Sequence, residues 1–329
     1  MLKNYHFIKN KKITLIIVGV VVLVGILSML IRGLNLGRDF TGGYELTMDM
    51  GQTVDDKTAS DVENVLRTQF EKMIKDEKLE NLFASKNVDD YVSSVAHSDS
   101  EITVKGSKNL EGEVQEAVKK AVVDVYPDAL VVGLNNYSPT IGDMMMKNAI
   151  WAVVIAVALM LIYIAIRFEI ASGLAAVICL LHDLFVMLTF YSLLQIPITS
   201  SVIAAFLTIL GYSINATIVV FDRIRENRKK ASEIPFGEVV NASAHETMGR
   251  SVNTTVTTVL TIGAIFVACF AAVILSPTSN LGTLRDFAGT LIIGILAGLF
   301  SSVFLSGMLW DALSFIGPKK GKKKAKRKA

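Results

Sequence analysis

The sequence predicts an α-helical polytopic membrane protein with six transmembrane helices and one extracytoplasmic α+β domain set between helices 1 and 2. Three observations carry that prediction. The chain of 329 residues is 52% hydrophobic and only 19% charged, where an ordinary soluble protein has roughly a quarter of its residues charged. Six stretches each supply the about 20 mostly apolar residues that a helix needs to cross a bilayer core. The formal net charge of +3 hides a partition, because Arg38–Thr140 holds 11 Lys+Arg against 20 Asp+Glu and leaves 22 basic and 10 acidic residues outside it. One block is acidic and water-soluble; the rest is apolar with basic edges. A soluble reading would need amphipathic helices to cover the apolar stretches, and none are to hand.

In chain order, a cytoplasmic amino terminus (1–12) leads into a first span at 13–31, and the others are expected at 148–166, 171–194, 198–221, 252–275 and 287–309. Each is bounded by charge, proline or a turn-forming cluster. Cytoplasmic loops carry the excess of Lys and Arg. Lys3, Lys9, Lys11 and Lys12 precede the first span, Arg167 follows the second, and Arg223, Arg225, Arg228, Lys229 and Lys230 lie in a basic loop expected at 222–251. With the amino terminus inside, six spans return the basic tail (310–329) to the same side. A cleaved signal peptide is the alternative for 13–31, but its run is long for that role and Ser28-Met29-Leu30-Ile31-Arg32 offers no small-x-small cleavage site. Cys179 and Cys269 fall inside spans and read as small apolar fillers.

The outer segment, 32–147 with its linkers, suits one small domain. A strand is expected at Tyr44–Met48, a helix from Val54 to about Leu79, strands at Tyr91–Ala96 and Ile102–Lys105 around a Ser98-Asp99-Ser100 turn, a helix at Leu110–Val125 and a strand at Ala129–Leu134. That order is βαββαβ, the ferredoxin-like pattern. The acidity suits either an exported fold's solubility or a surface for basic polypeptide, the first being favoured. No His/Cys cluster, phosphate loop or Ser/His/Asp arrangement is present, and His97 alone is no metal site.

Ionisable groups at membrane depth are functional candidates by default. Asp183 lies about 12 residues into the third span, on the order of 18 Å deep. It is either functional or a protonated carboxyl bonding a neighbouring helix. Its neighbour His182 should point about 100° away, so the two are not read as a dyad. Arg250 heads the fifth span, followed by Thr254, Thr257, Thr258 and Thr261 along one helical stripe. Thr208, Tyr212, Asn215 and Asp222 make a sparser line on the fourth. Such threonines can also serve tight packing alone. Gly294-Ile295-Leu296-Ala297-Gly298 is a GxxxG match that lets another helix approach closely. The tail Lys319–Lys328 has anionic lipid or ribosomal RNA as candidate contacts, and reads first as a solvated topology anchor.

Several segments together resemble the SecF-type subunits of the SecD/SecF family of protein-export membrane proteins. They are Gly37-Arg38-Asp39-Phe40-Thr41-Gly42-Gly43, Tyr163-Ile164-Ala165-Ile166-Arg167-Phe168-Glu169, His182-Asp183, Gly211-Tyr212-Ser213-Ile214-Asn215 leading into Thr217–Asn227, and Arg250-Ser251-Val252-Asn253-Thr254. The resemblance implies a half-transporter of the RND superfamily in the bacterial cytoplasmic membrane, paired with SecD as a heterodimer. The pair would use the proton gradient, or sodium in some relatives, to assist preproteins leaving the SecYEG channel. It implies partners of SecD, SecYEG, preproteins and membrane lipids, with no nucleic acid, cofactor, metal or enzymatic chemistry. Its ion-coupling pathway would run through Arg250, Asp183, Asn215, Thr254 and Asp222. One position departs from the pattern: the residue after Asn215 is usually Asp, and here it is Ala216. A guanidinium stays protonated at any working pH, so Arg250 alone cannot relay ions, and a carboxylate of SecD becomes the expected carrier. A small-molecule or lipid exporter acting as a homo-oligomer is the alternative. An intramembrane hydrolase lacks the paired carboxylates or HExxH helix it would need.

Overall fold

The computed structural model describes residues 6–76, 79–98, 100–110, 112–231, 233–275 and 281–314. Expectations for Lys3, Asp99 and the tail at 315–329 lie outside the described residues. The chain forms two compact units, one of residues 36–150 with 269–282 and one of the remainder.

The first unit begins with a single helical turn, α1′s successor in the chain: α1 is Lys11–Arg32 and α2 is Arg38–Thr41. Then come β1 (Gly43–Asp49), α3 (Asp56–Lys75), β2 (Ser94–Ser98), β3 (Glu101–Gly106), α4 (Gly112–Val125) and β4 (Leu130–Tyr137). The strands lie in the order β2-β3-β1-β4 with antiparallel neighbours throughout. Alternation sets the core face: Tyr44, Leu46 and Met48 from β1 and Ile102 and Val104 from β3 are buried. Val62, Leu66, Phe70 and Met73 of α3, and Val114, Val118 and Val122 of α4, repeat at helical spacing and join the same core.

Local chemistry sets the element ends. Asp55 caps α3 by accepting from the Thr58 N–H at 2.8 Å, and the Thr58 hydroxyl and N–H hold its carboxyl below the usual range. Helix α3 therefore starts after Asp55 and ends at Lys75, within the expected Val54–Leu79. Strand β2 starts at Ser94, later than the expected Tyr91, because Tyr91 and Val92 turn into the core, where Tyr91 stacks on Phe70 and its carbonyl accepts from the Tyr44 hydroxyl. Gly42 and Gly43 have φ of +72° and +106°, conformations that favour glycine.

At the end of the β1–β3 ladder, Asp49 faces Glu101 across the strands. Glu101 Oε1 has no hydrogen-bond partner among the described residues, and burial followed by Asp49 raises the Glu101 carboxyl above its ordinary value of 4.5. The folded protein thus holds that proton more tightly than the unfolded chain. Its contribution is present below the unfolded value and is lost as pH rises through the raised one. Glu101→Gln is expected to raise the unfolding temperature slightly at pH 7, with the gain vanishing below about pH 4; equal gains at both pH values would remove ionisation as the cause.

The second unit is helical. With α1 it contains most of α5 (Pro139–Arg167), α6 (Ile170–Leu194), α7 (Ser200–Lys230), most of α8 (Phe236–Leu275), α9 (Gly282–Phe300), a π turn at Ser301–Leu305 and α10 (Ser306–Leu313). Among the described residues six helical segments are long and apolar enough to cross a membrane, the last formed by α9 through α10. Helix α1 lies close against α6, since a Cβ on Gly25 would stand 2.2 Å from Thr189 Oγ1. The Ser28 and Ser192 hydroxyls join the same two helices at 2.7 Å.

Two boundaries need correction. The segment expected as a loop at 222–251 is helical at 222–230 and 236–251, because α7 continues to Lys230 and α8 starts at Phe236. Hydropathy marks where lipid contact ends, but the backbone ladder continues wherever side chains support it. Glu226 accepts from Arg223 and Lys230 along α7, and Asn227 reaches Ser243 at 3.0 Å and Glu246 at 2.8 Å on α8. The second correction is at 139–147, expected as a linker, which forms the start of α5.

Candidate functional site at the centre of the helical unit

The sixth hydrophobic segment meets the fourth through its glycines. A Cβ on Gly294 would stand 2.5 Å from Ile209 Cγ1, and one on Gly298 would stand 3.3 Å from Ser213 Cβ. The GxxxG spacing therefore brings α9 onto α7 within the same chain. That approach places Ser213 and Ser301 around Asp183.

Asp183 is fully buried. The Ser213 hydroxyl donates to its Oδ2, and the Ser301 hydroxyl lies 2.8 Å from the same oxygen. His182 Nδ1 stands 3.2 Å from Oδ1. This corrects the expectation that His182 and Asp183 act apart: the Cα–Cβ bonds diverge, but the side chains curl toward one another. Ser301 opens the π turn, whose wider winding has the Ser306 N–H bonded to the Ser301 carbonyl. Such turns inside α-helices are frequent at functional sites. The Cys179 thiol is buried against that same carbonyl at 3.8 Å, so its packing role holds together with a weak hydrogen bond. Sequence reasoning missed Ser301; the only trace was a Ser301-Ser302 pair inside an apolar run.

The remaining candidates lie elsewhere. Arg250, Asn215 and Thr254 are exposed, and Ala216 is half-buried. Among the described residues no hydrogen bond or ion pair joins these side chains to Asp183, and Arg250 has no ion pair. Asp222 is drawn off to Arg167, 3.3 Å away, with Arg225 at 3.7 Å, so it ties the α5–α6 connection to α7. The threonine stripe is satisfied within its own helix: Thr257, Thr258 and Thr261 each donate to a carbonyl one turn back. Only 6% of the apolar window of α5 and 11% of that of α8 is buried, against 61% for the segment Gly282–Leu313. Among the described residues, therefore, no element of this chain covers Arg250. Among the described residues no group of three or more His, Cys, Asp or Glu side chains is placed to hold a metal.

Comparison with known proteins bears on the whole arrangement. The family described as "Protein export membrane protein SecD/SecF, C-terminal" matches residues 117–315, and the "SecD/SecF GG Motif" matches residues 27–54. The protein translocase subunit SecF of Acidaminococcus fermentans is 34% identical, over 94% of this chain and 97% of its own length. The protein translocase subunit SecDF of Bacillus subtilis is 32% identical over 94% of this chain, which spans only 38% of that protein. The crystal structure of SecDF from Thermus thermophilus, a translocon-associated membrane protein, superposes with a TM-score of 0.74 at 29% identity. It covers 94% of this chain, and this chain covers 39% of it. With the double-glycine turn, six membrane-length helices and near full-length likeness to SecF, the chain belongs to the SecD/SecF family of protein-export membrane proteins.

Proposed function

We propose that the chain is an accessory subunit of the Sec preprotein translocase, paired with SecD, which couples the proton (or sodium) gradient to late steps of protein export through SecYEG. The observation that carries this reading is that Asn215 on α7 and Arg250 and Thr254 on α8 are exposed on helices of membrane length. A guanidinium facing hydrocarbon would carry a large desolvation penalty, which favours a second polypeptide covering it. That this chain spans 38–39% of SecDF proteins leaves room in them for such a partner. The basic clusters favour both termini on the cytoplasmic side of a bacterial cytoplasmic membrane, with lipids around α5. The four-stranded unit is then an extracytoplasmic, ferredoxin-like domain, a reading that its antiparallel β2-β3-β1-β4 order supports.

Ala216 leaves Arg250 without the acid expected on α7. Arg250, Asn215 and Thr254 in this reading shape a path whose carboxylate belongs to SecD, and Asp222 anchors the cytoplasmic edge. Co-expression with the SecD of the same cell and purification in mild detergent tests the pairing. A stable one-to-one complex is the expected result. A homo-oligomer recovered in the presence of SecD would favour the small-molecule or lipid exporter.

A further inference from the structure

Asp183 shares no hydrogen bond or ion pair with Arg250 among the described residues and needs an account of its own. The groups hydrogen-bonded to it are His182 on α6, Ser213 on α7 and Ser301 on the last segment, and Ser301 in turn touches the Gly298 carbonyl and accepts the Cys179 thiol on its own carbonyl. Its only ion-pair partner among the described residues is His182. Leaving a carboxylate with no fixed positive charge in such a place is costly. A bound cation would remove the charge, and the arrangement selects which one. Both hydroxyls already touch Oδ2 directly, so a metal cation would have to part oxygens that are in contact, whereas a proton needs no added space. The proton also keeps Oδ1 and Nδ1 hydrogen-bonded, the neutral acid donating from Oδ1 to the imidazole.

Ser301 has the geometry to report that proton. Its hydroxyl carries one hydrogen and lies within reach of two acceptors, Asp183 Oδ2 at 2.8 Å and the Gly298 carbonyl at 3.2 Å. A negative Oδ2 attracts that hydrogen more strongly than a neutral one, and the alternative acceptor is one turn back on its own helix. Because Ser301 is the first residue of the π turn, the choice is made where the helix winding is already irregular.

We propose that His182 and Asp183 form a proton-binding site inside this subunit, distinct from the Arg250 face, and that Ser301 passes its charge state to the π turn at Ser301–Leu305. The proposal rests on the gradient-coupled reading given above. The site takes up a proton from water or the partner and releases it again, with no other bond made or broken.

The test is infrared difference spectroscopy, across the neutral pH range, on the lipid-reconstituted complex with SecD, beside gradient-stimulated export in vesicles. A protonated-carboxyl stretch is expected in the wild type and absent in Asp183→Asn, which also loses the stimulated part of export. Ser301→Ala is expected to keep the band but move it to higher frequency, because Oδ2 loses a donor, and to weaken stimulation. A band that persists in Asp183→Asn overturns the site, and a band unmoved in Ser301→Ala overturns the link to the π turn. Loss of the band in a complex whose wild type shows no gradient stimulation would retain the proton site and sink the export reading instead. Should Asp183→Asn fail to assemble, Ser213→Ala supplies the same frequency test on the same oxygen.

Discussion

Arg250→Leu is expected to abolish gradient-stimulated export while leaving the protein inserted and paired with SecD. The guanidinium is exposed in this chain and has no ion pair among its described residues, so its counter-charge must come from the covering partner. Removing one member of a desolvated charge pair typically costs about 2–5 kcal/mol, a more than tenfold effect. Leucine keeps the apolar stem's bulk, so helix packing should survive. Arg250→Lys should retain part of the activity, since it keeps the charge but not the planar fork. Export should be measured in inverted vesicles with and without an imposed gradient, and unchanged stimulation would reduce Arg250 to a topology anchor. In the same assay Ala216→Asp should alter the pH dependence of stimulation, because it restores next to Asn215 the carboxylate that the resemblance leads one to expect there. Complete loss of export in Ala216→Asp would instead mean that the face has repacked around alanine.

Gly43→Ala should be the most destabilising single-methyl change in the four-stranded unit. Gly43 sits at φ +106°, and a Cβ there would stand 2.1 Å from the Gly106 carbonyl oxygen. That oxygen belongs to the backbone beside the β1–β3 ladder, where Tyr44 pairs with Gly106, so it cannot swing aside as a side chain would. Backbone strain alone is worth about 1–3 kcal/mol, and the clash brings the total to on the order of 4 kcal/mol. That is a large share of the roughly 5–15 kcal/mol by which a domain is stable. Gly112→Ala is the control, since nothing lies within 4 Å of its Cβ, and it should be neutral or slightly stabilising. Hydrogen exchange of the β1 and β3 amides in the full chain reads both. Equal protection in the two variants would show that the double glycine is not required by the turn.

The residues differ in how openly they declare themselves. Apolar runs near 20 residues and the alternation Tyr44, Leu46, Met48 are local, one-dimensional signals, because the solvent that each side chain must meet repeats with the backbone period. The membrane spans, the βαββαβ order and the motifs that place the chain in its family could therefore be read directly. Helix ends were less legible: α7 and α8 run on past their apolar stretches, with Glu226 accepting from Lys230 along α7 and Glu246 on α8 accepting from Asn227 on α7.

The Asp183 cluster depended on folding in space. Asp183 itself stood out as a charge at membrane depth, but Ser213 is 30 residues and Ser301 118 residues away along the chain. No periodicity links positions so far apart; only the approach of α9 to α7 across Gly294 and Gly298 brings their hydroxyls to one oxygen. Asp222, Arg250 and Asp183 look alike in a sequence, as isolated charges near apolar runs. The packed chain sends the first to Arg167, leaves the second exposed and encloses the third, because burial and pairing are properties of neighbours in three dimensions.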